Sequence, residues 1–281
     1  LGDSTAAGYG VTTRAETPGA HLATWLAEAT RRPVRLTCPA VVGAVSAWLG
    51  PQVEAVLEAG VDLAVILVGA NDVTARVAEA TAVRHLFEAV RALRTDGAEV
   101  VVATCPDLGT IQPIRPPLRW LARRWSRQLA TAQTIAAVEA GGRTVSLGNL
   151  LGPQFAAAPE HLFGLDRYHP SADGYRLAAA AILPTALAAL GRPGAGSASA
   201  TVRALPAAAA VAAHQPGTEV SGAAVAGLER GPAGRWAQLS RRVRTRPRNL
   251  APGNDDAVPS LAGPETAAGS ARESSAESAV E

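Results

Sequence analysis

The chain contains no lysine and no methionine; its 26 basic residues are all arginine. Without lysine there is no Schiff-base amine, no Ser-Lys dyad and no P-loop lysine. Without methionine the chain starts at Leu1, inside what reads as a first strand. An upstream start is therefore expected, and a leader or anchor could lie there. The compartment stays open: export or membrane association in that case, the cytoplasm otherwise. Two cysteines, Cys38 and Cys105, make no disulfide framework and read as small buried hydrophobes at strand ends. No HExxH, CxxC or close histidine pair is present, so neither a metal nor any other cofactor is expected. Gly8-Tyr9-Gly10 lacks the third glycine of a dinucleotide turn. No apolar run approaches the roughly 18 residues needed to cross a bilayer.

What is present is unevenly distributed. Of the 281 residues, 48% are apolar, enough for a sizeable core. Residues 1–190 alternate apolar runs with amphipathic stretches and are expected to be one domain. Residues 191–281 turn to Gly, Pro, Ser and Ala and read as a disordered tail, because such composition buries too little to offset ordering entropy. The Arg, Ala and Gly usage is that of a GC-rich, actinobacterial kind of genome. Strands are expected at 34–38, 62–68, 99–104 and 143–147, after a first strand ending at Leu1. Helices are expected at 17–31, 47–59, 74–95, 118–140 and 172–189, with Ser171 capping the last. This alternation implies an α/β fold: three α/β/α layers around a flavodoxin-like, five-stranded parallel sheet of order 2-1-3-4-5. In that order Cys38 and Cys105 stand roughly 14 Å apart, too far to bond.

In such sheets ligands gather at the carboxyl ends of the strands. Residues distant in sequence reach that edge together: Gly2-Asp3-Ser4 after strand 1, Gly43 after strand 2, Gly69-Ala70-Asn71-Asp72 after strand 3, and Asp166-Arg167-Tyr168-His169 after strand 5. A serine needs a base to become a nucleophile and donors to hold the oxyanion it creates. Ser4 is the candidate nucleophile, His169 the base and Asp166 its orienting acid. The backbone N–H groups of Ser4 and Gly43 and the Asn71 amide are candidate oxyanion donors. Asp3 and Asp72 read as turn and supporting residues, and His161 is the rival base. These four blocks, in this order, resemble the SGNH/GDSL hydrolase family over residues 1–190. The chain has GDST where the family name has GDSL, and no Asn precedes Gly43. The resemblance implies the roles of nucleophile, oxyanion donor, oxyanion donor and base for Ser4, Gly43, Asn71 and His169.

The expected activity is cofactor-free cleavage of a small-molecule or lipid ester, or a thioester, through an acyl-enzyme. The family's carbohydrate O-deacetylases offer one alternative. A non-catalytic acyl- or glycan-binding domain is another, and an interaction protein acting through its tail a third. Residues 107–125 mix Ile111, Ile114, Leu118 and Trp120 with Arg115, Arg119, Arg123 and Arg124. They read either as an apolar wall with a cationic approach or as a helix start with a core face and solvated arginines. In the tail, residues 229–248 carry seven arginines around Trp236. Contact with a membrane surface is one reading and a solvated extension the other; no nucleic-acid motif accompanies them. Oligomeric state has no signature in the sequence.

Overall fold

A computed structural model describes residues 1–191, except 112, 148–154 and 156, together with 203–214, 219–220 and 225–226. The centre is a parallel sheet of β1 (Leu63–Leu67), β2 (Glu99–Ala103) and β3 (Arg143–Val145), in that order. Leu63 pairs with Glu99 and Leu67 with Ala103, and Val101 with Arg143. β1 and β2 are short, largely apolar runs because both of their faces are covered. Ala64, Ile66, Val100 and Val102 pack against α3 (Leu49–Leu57) and α5 (Glu79–Thr95). The intervening Leu67, Val101 and Ala103 pack with α2 (Pro18–Thr30) and α8 (Ala172–Ala189) on the other side. Each Val or Leu buried this way contributes roughly 1.5–3 kcal/mol. The remaining short helices are α1 (Ser4–Ala7), α4 (Ala70–Thr74) and α7 (Pro159–Leu162), and α6 (Leu118–Glu139) packs beside α5.

The expected first strand survives as one parallel bridge, Gly2 to Leu67, flanked by bonds from Leu67 N–H to Leu1 O and Asp3 N–H to Leu67 O. Residues 34–38 join no ladder, contrary to expectation. Their neighbour in the expected order offers only that single bridge, so there is no edge to extend. A groove of about 460 Å³ lies there instead, lined by Leu22, Leu26, Val34, Leu36, Leu63 and Val65 among others. Cys38 is consequently exposed, not buried as expected, while Cys105 is buried; both are free thiols.

The stretch expected to be a tail contains ordered elements. Leu205–Ala212 forms α9, with Leu205, Ala209 and Ala212 buried, and it packs on α6. The spacing of these residues is helical and the alanines between them favour a helix. The pair β5 (Glu219–Val220) adds to β3 antiparallel, and β4 (Arg203–Ala204) pairs with β6 (Val225–Ala226). The arginine cluster at 229–248 lies outside the described residues. Among the described residues no helix is long and apolar enough to cross a membrane.

Candidate active site

Ser4 is placed by the backbone before it. Gly2 adopts φ 133°, and a Cβ there would lie 1.8 Å from Leu67 O, so only glycine lets this strand end press against β1. Gln52 acts as a peptide surrogate on the other side: it accepts from Gly2 N–H at 2.6 Å and donates to Gly2 O at 2.9 Å. Asp3 then caps α1, accepting from Thr5 N–H at 2.8 Å. Ser4 is the first helical residue, and the helix closes at Gly8 in the left-handed region. Ser4 is only 6% exposed, more covered than the small residues around it imply, because His169 stands over its hydroxyl.

His169 arrives on the segment between β3 and α8. His169 Nε2 lies 2.9 Å from Ser4 Oγ, and His169 Nδ1 lies 2.6 Å from Asp166 Oδ2. With a neutral ring, Nδ1–H donates to the carboxylate and Nε2 accepts from the serine. The other Asp166 oxygen accepts from the backbone N–H groups of Tyr168 and His169 at 2.9 and 3.0 Å. Burial works to raise the Asp166 pKa, but these hydrogen bonds, that from the His169 ring first, outweigh it and hold the carboxyl below its ordinary value. Tyr9 and Tyr168 flank the His169 ring, with centroids at 4.7 and 4.9 Å. His161, the rival base, is exposed, and its carbonyl accepts from Ser171 Oγ.

The loop that carries Gly43 folds against the same strand ends. Val41 N–H donates to Gly2 O, two residues from Ser4. Gly43 follows at φ 83°. Asn71 Nδ2 donates one hydrogen to Ala44 O at 3.0 Å and retains a second. Asn71 is not the helix cap; Gly69 occupies that position, where a Cβ would meet Cys105 Cβ at 2.8 Å. Asp72 is buried and accepts from both the N–H and the hydroxyl of Ser46 at 2.9–3.1 Å. Burial raises its pKa, which the two Ser46 bonds partly offset.

The sequence reading missed Gln52, Ser46, Gln133 and Tyr9. Gln133 donates to Val68 O and accepts from Cys105 N–H, tying α6 to two strand ends. A polar residue on the apolar stripe of a helix was the available signal for Gln52 and Gln133. None of Ser4, Gly43, Asn71, Asp166 or His169 lines the large groove beside β1. Among the described residues no group of three or more His, Cys, Asp or Glu side chains could hold a metal ion.

Residues 1–177 match the GDSL-like Lipase/Acylhydrolase family. The chain belongs to this family. It is 51% identical over 181 residues to the GDSL-like esterase Rv1075c of Mycobacterium tuberculosis, a match covering 64% of this chain and 58% of that protein. The chain thus spans under two thirds of that relative. In fold it is similar to Axe2, an acetylxylan esterase from Geobacillus stearothermophilus, at 19% identity and TM-score 0.54, covering 70% of this chain and 94% of that one. A catalytic mutant of the same enzyme gives 18% identity and TM-score 0.54, over 68% and 92% of the two chains. These likenesses support the α/β fold with its parallel sheet.

Proposed function

We propose that residues 1–190 are a serine ester hydrolase acting through an acyl-enzyme. The observation that carries this reading is the unbroken relay from Ser4 Oγ through His169 to Asp166, at 2.9 and 2.6 Å. Ser4 attacks the ester carbonyl while His169 Nε2 takes its proton. Asp166 fixes the tautomer and faces the imidazolium that forms. The oxyanion is held by the N–H groups of Ser4 and Gly43 and by the remaining hydrogen of Asn71. His169 returns the proton to the leaving alcohol, then activates water to release the acid. No cofactor enters these steps. The name of the Mycobacterium relative supports an ester as substrate; the name of Axe2, an acetylxylan esterase, supports an acetylated sugar as the alternative substrate, with the sugar hydroxyl as leaving group.

The test is hydrolysis of p-nitrophenyl esters of increasing acyl length, with acetylated xylan and a thioester alongside. Ser4→Ala and His169→Ala should each lose about 10⁴-fold or more in kcat/KM. Ester hydrolysis undiminished in Ser4→Ala would overturn the nucleophile assignment. A parent inactive on every substrate would favour the ligand-binding reading.

A further inference from the structure

The large apolar side chains that remain exposed among the described residues are not scattered. Besides Val34, Leu36 and Trp125, which lies two turns into α6, they stand on the loops and helix starts that follow the carboxyl ends of the strands. Tyr9 follows α1, Val42 and Trp48 flank the Gly43 loop, Leu165 precedes Asp166, and Trp120 begins α6. Single exposed apolar residues need no explanation, but a ring of them around one site does.

The start of α6 adds charge to this ring. Gln133, bonded to Val68 O and Cys105 N–H, is level with the strand ends. Trp120 lies roughly 20 Å further along the helix at 1.5 Å per residue, beyond the sheet on the Ser4 side. Leu118, Leu121, Trp125 and Leu129 fall on one stripe of the helix. Only Leu129 is buried, because the earlier turns have no sheet beneath them. Arg115, Arg119, Arg123, Arg124 and Arg127 crowd this segment, and no acidic residue occurs between Asp107 and Glu139. Arg123 and Arg127 share Asp107, and Arg119 Nε donates to Ile114 O. Arg115 and Arg124 are exposed, and their guanidinium groups have no hydrogen-bond or ion-pair partner among the described residues.

This composition works against the helix itself. Its first turn has no side-chain cap and no acid, and cations at a helix N-terminus oppose the macrodipole. Local rules broken together at one place point to a use outside the fold. A second copy of this face would bring like charges together. Exposed Trp and Leu interleaved with Arg instead match an anionic lipid interface, where rings sit among headgroups and guanidinium groups meet phosphates.

We infer that this rim, led by Leu118, Trp120, Arg115 and Arg124, is a docking surface for an anionic phospholipid bilayer and turns the Ser4 site toward it. The inference concerns binding, so it is tested without turnover. The full chain is sedimented with vesicles of phosphatidylcholine alone and of equal parts phosphatidylcholine and phosphatidylglycerol. Binding to the anionic vesicles should be about tenfold tighter or more and should weaken with salt. Trp120→Ser combined with Arg124→Glu should lower it about tenfold, and Arg115→Glu alone severalfold. Both variants alter exposed side chains, so each should melt with the parent and hydrolyse a short soluble ester at the parent's rate. Anionic binding unchanged by these substitutions would overturn the proposal and assign the contact to the arginines at 229–248. No vesicle binding, or no preference for the anionic vesicles, would also overturn it.

Discussion

The two segments that meet at the Ser4–His169 contact are held in different ways. The Ser4 segment, residues 1–8, is locked into the body of the fold. Its backbone bonds to β1, to Gln52 and to the Gly43 loop, and Asp3 and Ser4 are buried. The His169 segment lies at the edge. Leu165 is fully exposed and the Asp166 side chain is 40% exposed. Its order comes from within: Asp166 closes on two backbone N–H groups, Gly164 N–H donates to His169 O, and Phe163 bridges Pro170. Precision on one side is borrowed from the sheet, and on the other it is made by a local turn. Damage to the first should appear as lost stability, and damage to the second as lost rate in a protein that still folds.

The largest expected effect is on the base side. Asp166→Asn keeps an oxygen for the turn but replaces the acceptor facing Nδ1 with a choice of donor. An amide N–H there would hold the ring in the tautomer that cannot take the Ser4 proton. We expect kcat to fall by about 10²–10⁴-fold. The melting temperature should move by no more than about 4 °C. Steady-state kinetics and a melting curve on the same preparation check both halves; a large fall in melting temperature would contradict the local-turn account.

The difference between the segments also decided what the sequence could show. The meeting of Ser4, His169 and Asp166 was legible because reactive residue types recur at the ends of apolar runs, and a parallel sheet brings such ends together. The α8 boundaries were legible for a local reason: Ser171 caps the helix and Gly174 N–H answers it. Contacts that depend on a distant partner were not legible. Nothing near Gln52 says that it will bond Gly2, fifty positions away, and nothing near Ser46 announces Asp72. Residues 34–38 have every local mark of a strand, yet a strand needs a neighbour's free edge, which is a property of the assembled sheet. The exposed face of α6 follows the same logic, since periodicity gives a stripe but not how far the sheet extends beneath it.

On the nucleophile side the sharpest cut is Gly2→Ala. The new Cβ would sit 1.8 Å from Leu67 O at a φ of 133°, so the strand end must leave β1 or β1 must move. A loss of about 3 kcal/mol or more is expected, which for a domain of this size lowers the melting temperature by roughly 6–12 °C. Activity should fall with the folded fraction. A variant that melts with the parent but is slow would show that the Gly2 bridge positions Ser4 without holding the fold.

The smallest effect concerns Asp3, a buried carboxyl next to Ser4 in the chain. Burial, partly relieved by the Thr5 bonds, raises its pKa to about 6. The folded protein therefore holds this proton more tightly than the unfolded chain does. The stabilisation is fully present below the unfolded value of 3.8 and is lost as pH rises through about 6. Asp3→Asn keeps an oxygen for Thr5 N–H and has no proton to lose. It should match the parent near pH 4 and exceed it by about 1–3 kcal/mol at pH 8. Thermal melts of both proteins at the two pH values measure this. Asp72, whose charge helps to raise the Asp3 pKa, is raised in the same direction, so relieving that repulsion at high pH adds to the difference with the same sign. A stability difference that does not change with pH would mean that Asp3 acts only as a cap. If the variant is more stable at pH 8 but slower, the negative charge beside His169 is retained for the imidazolium formed in turnover, at the expense of the fold.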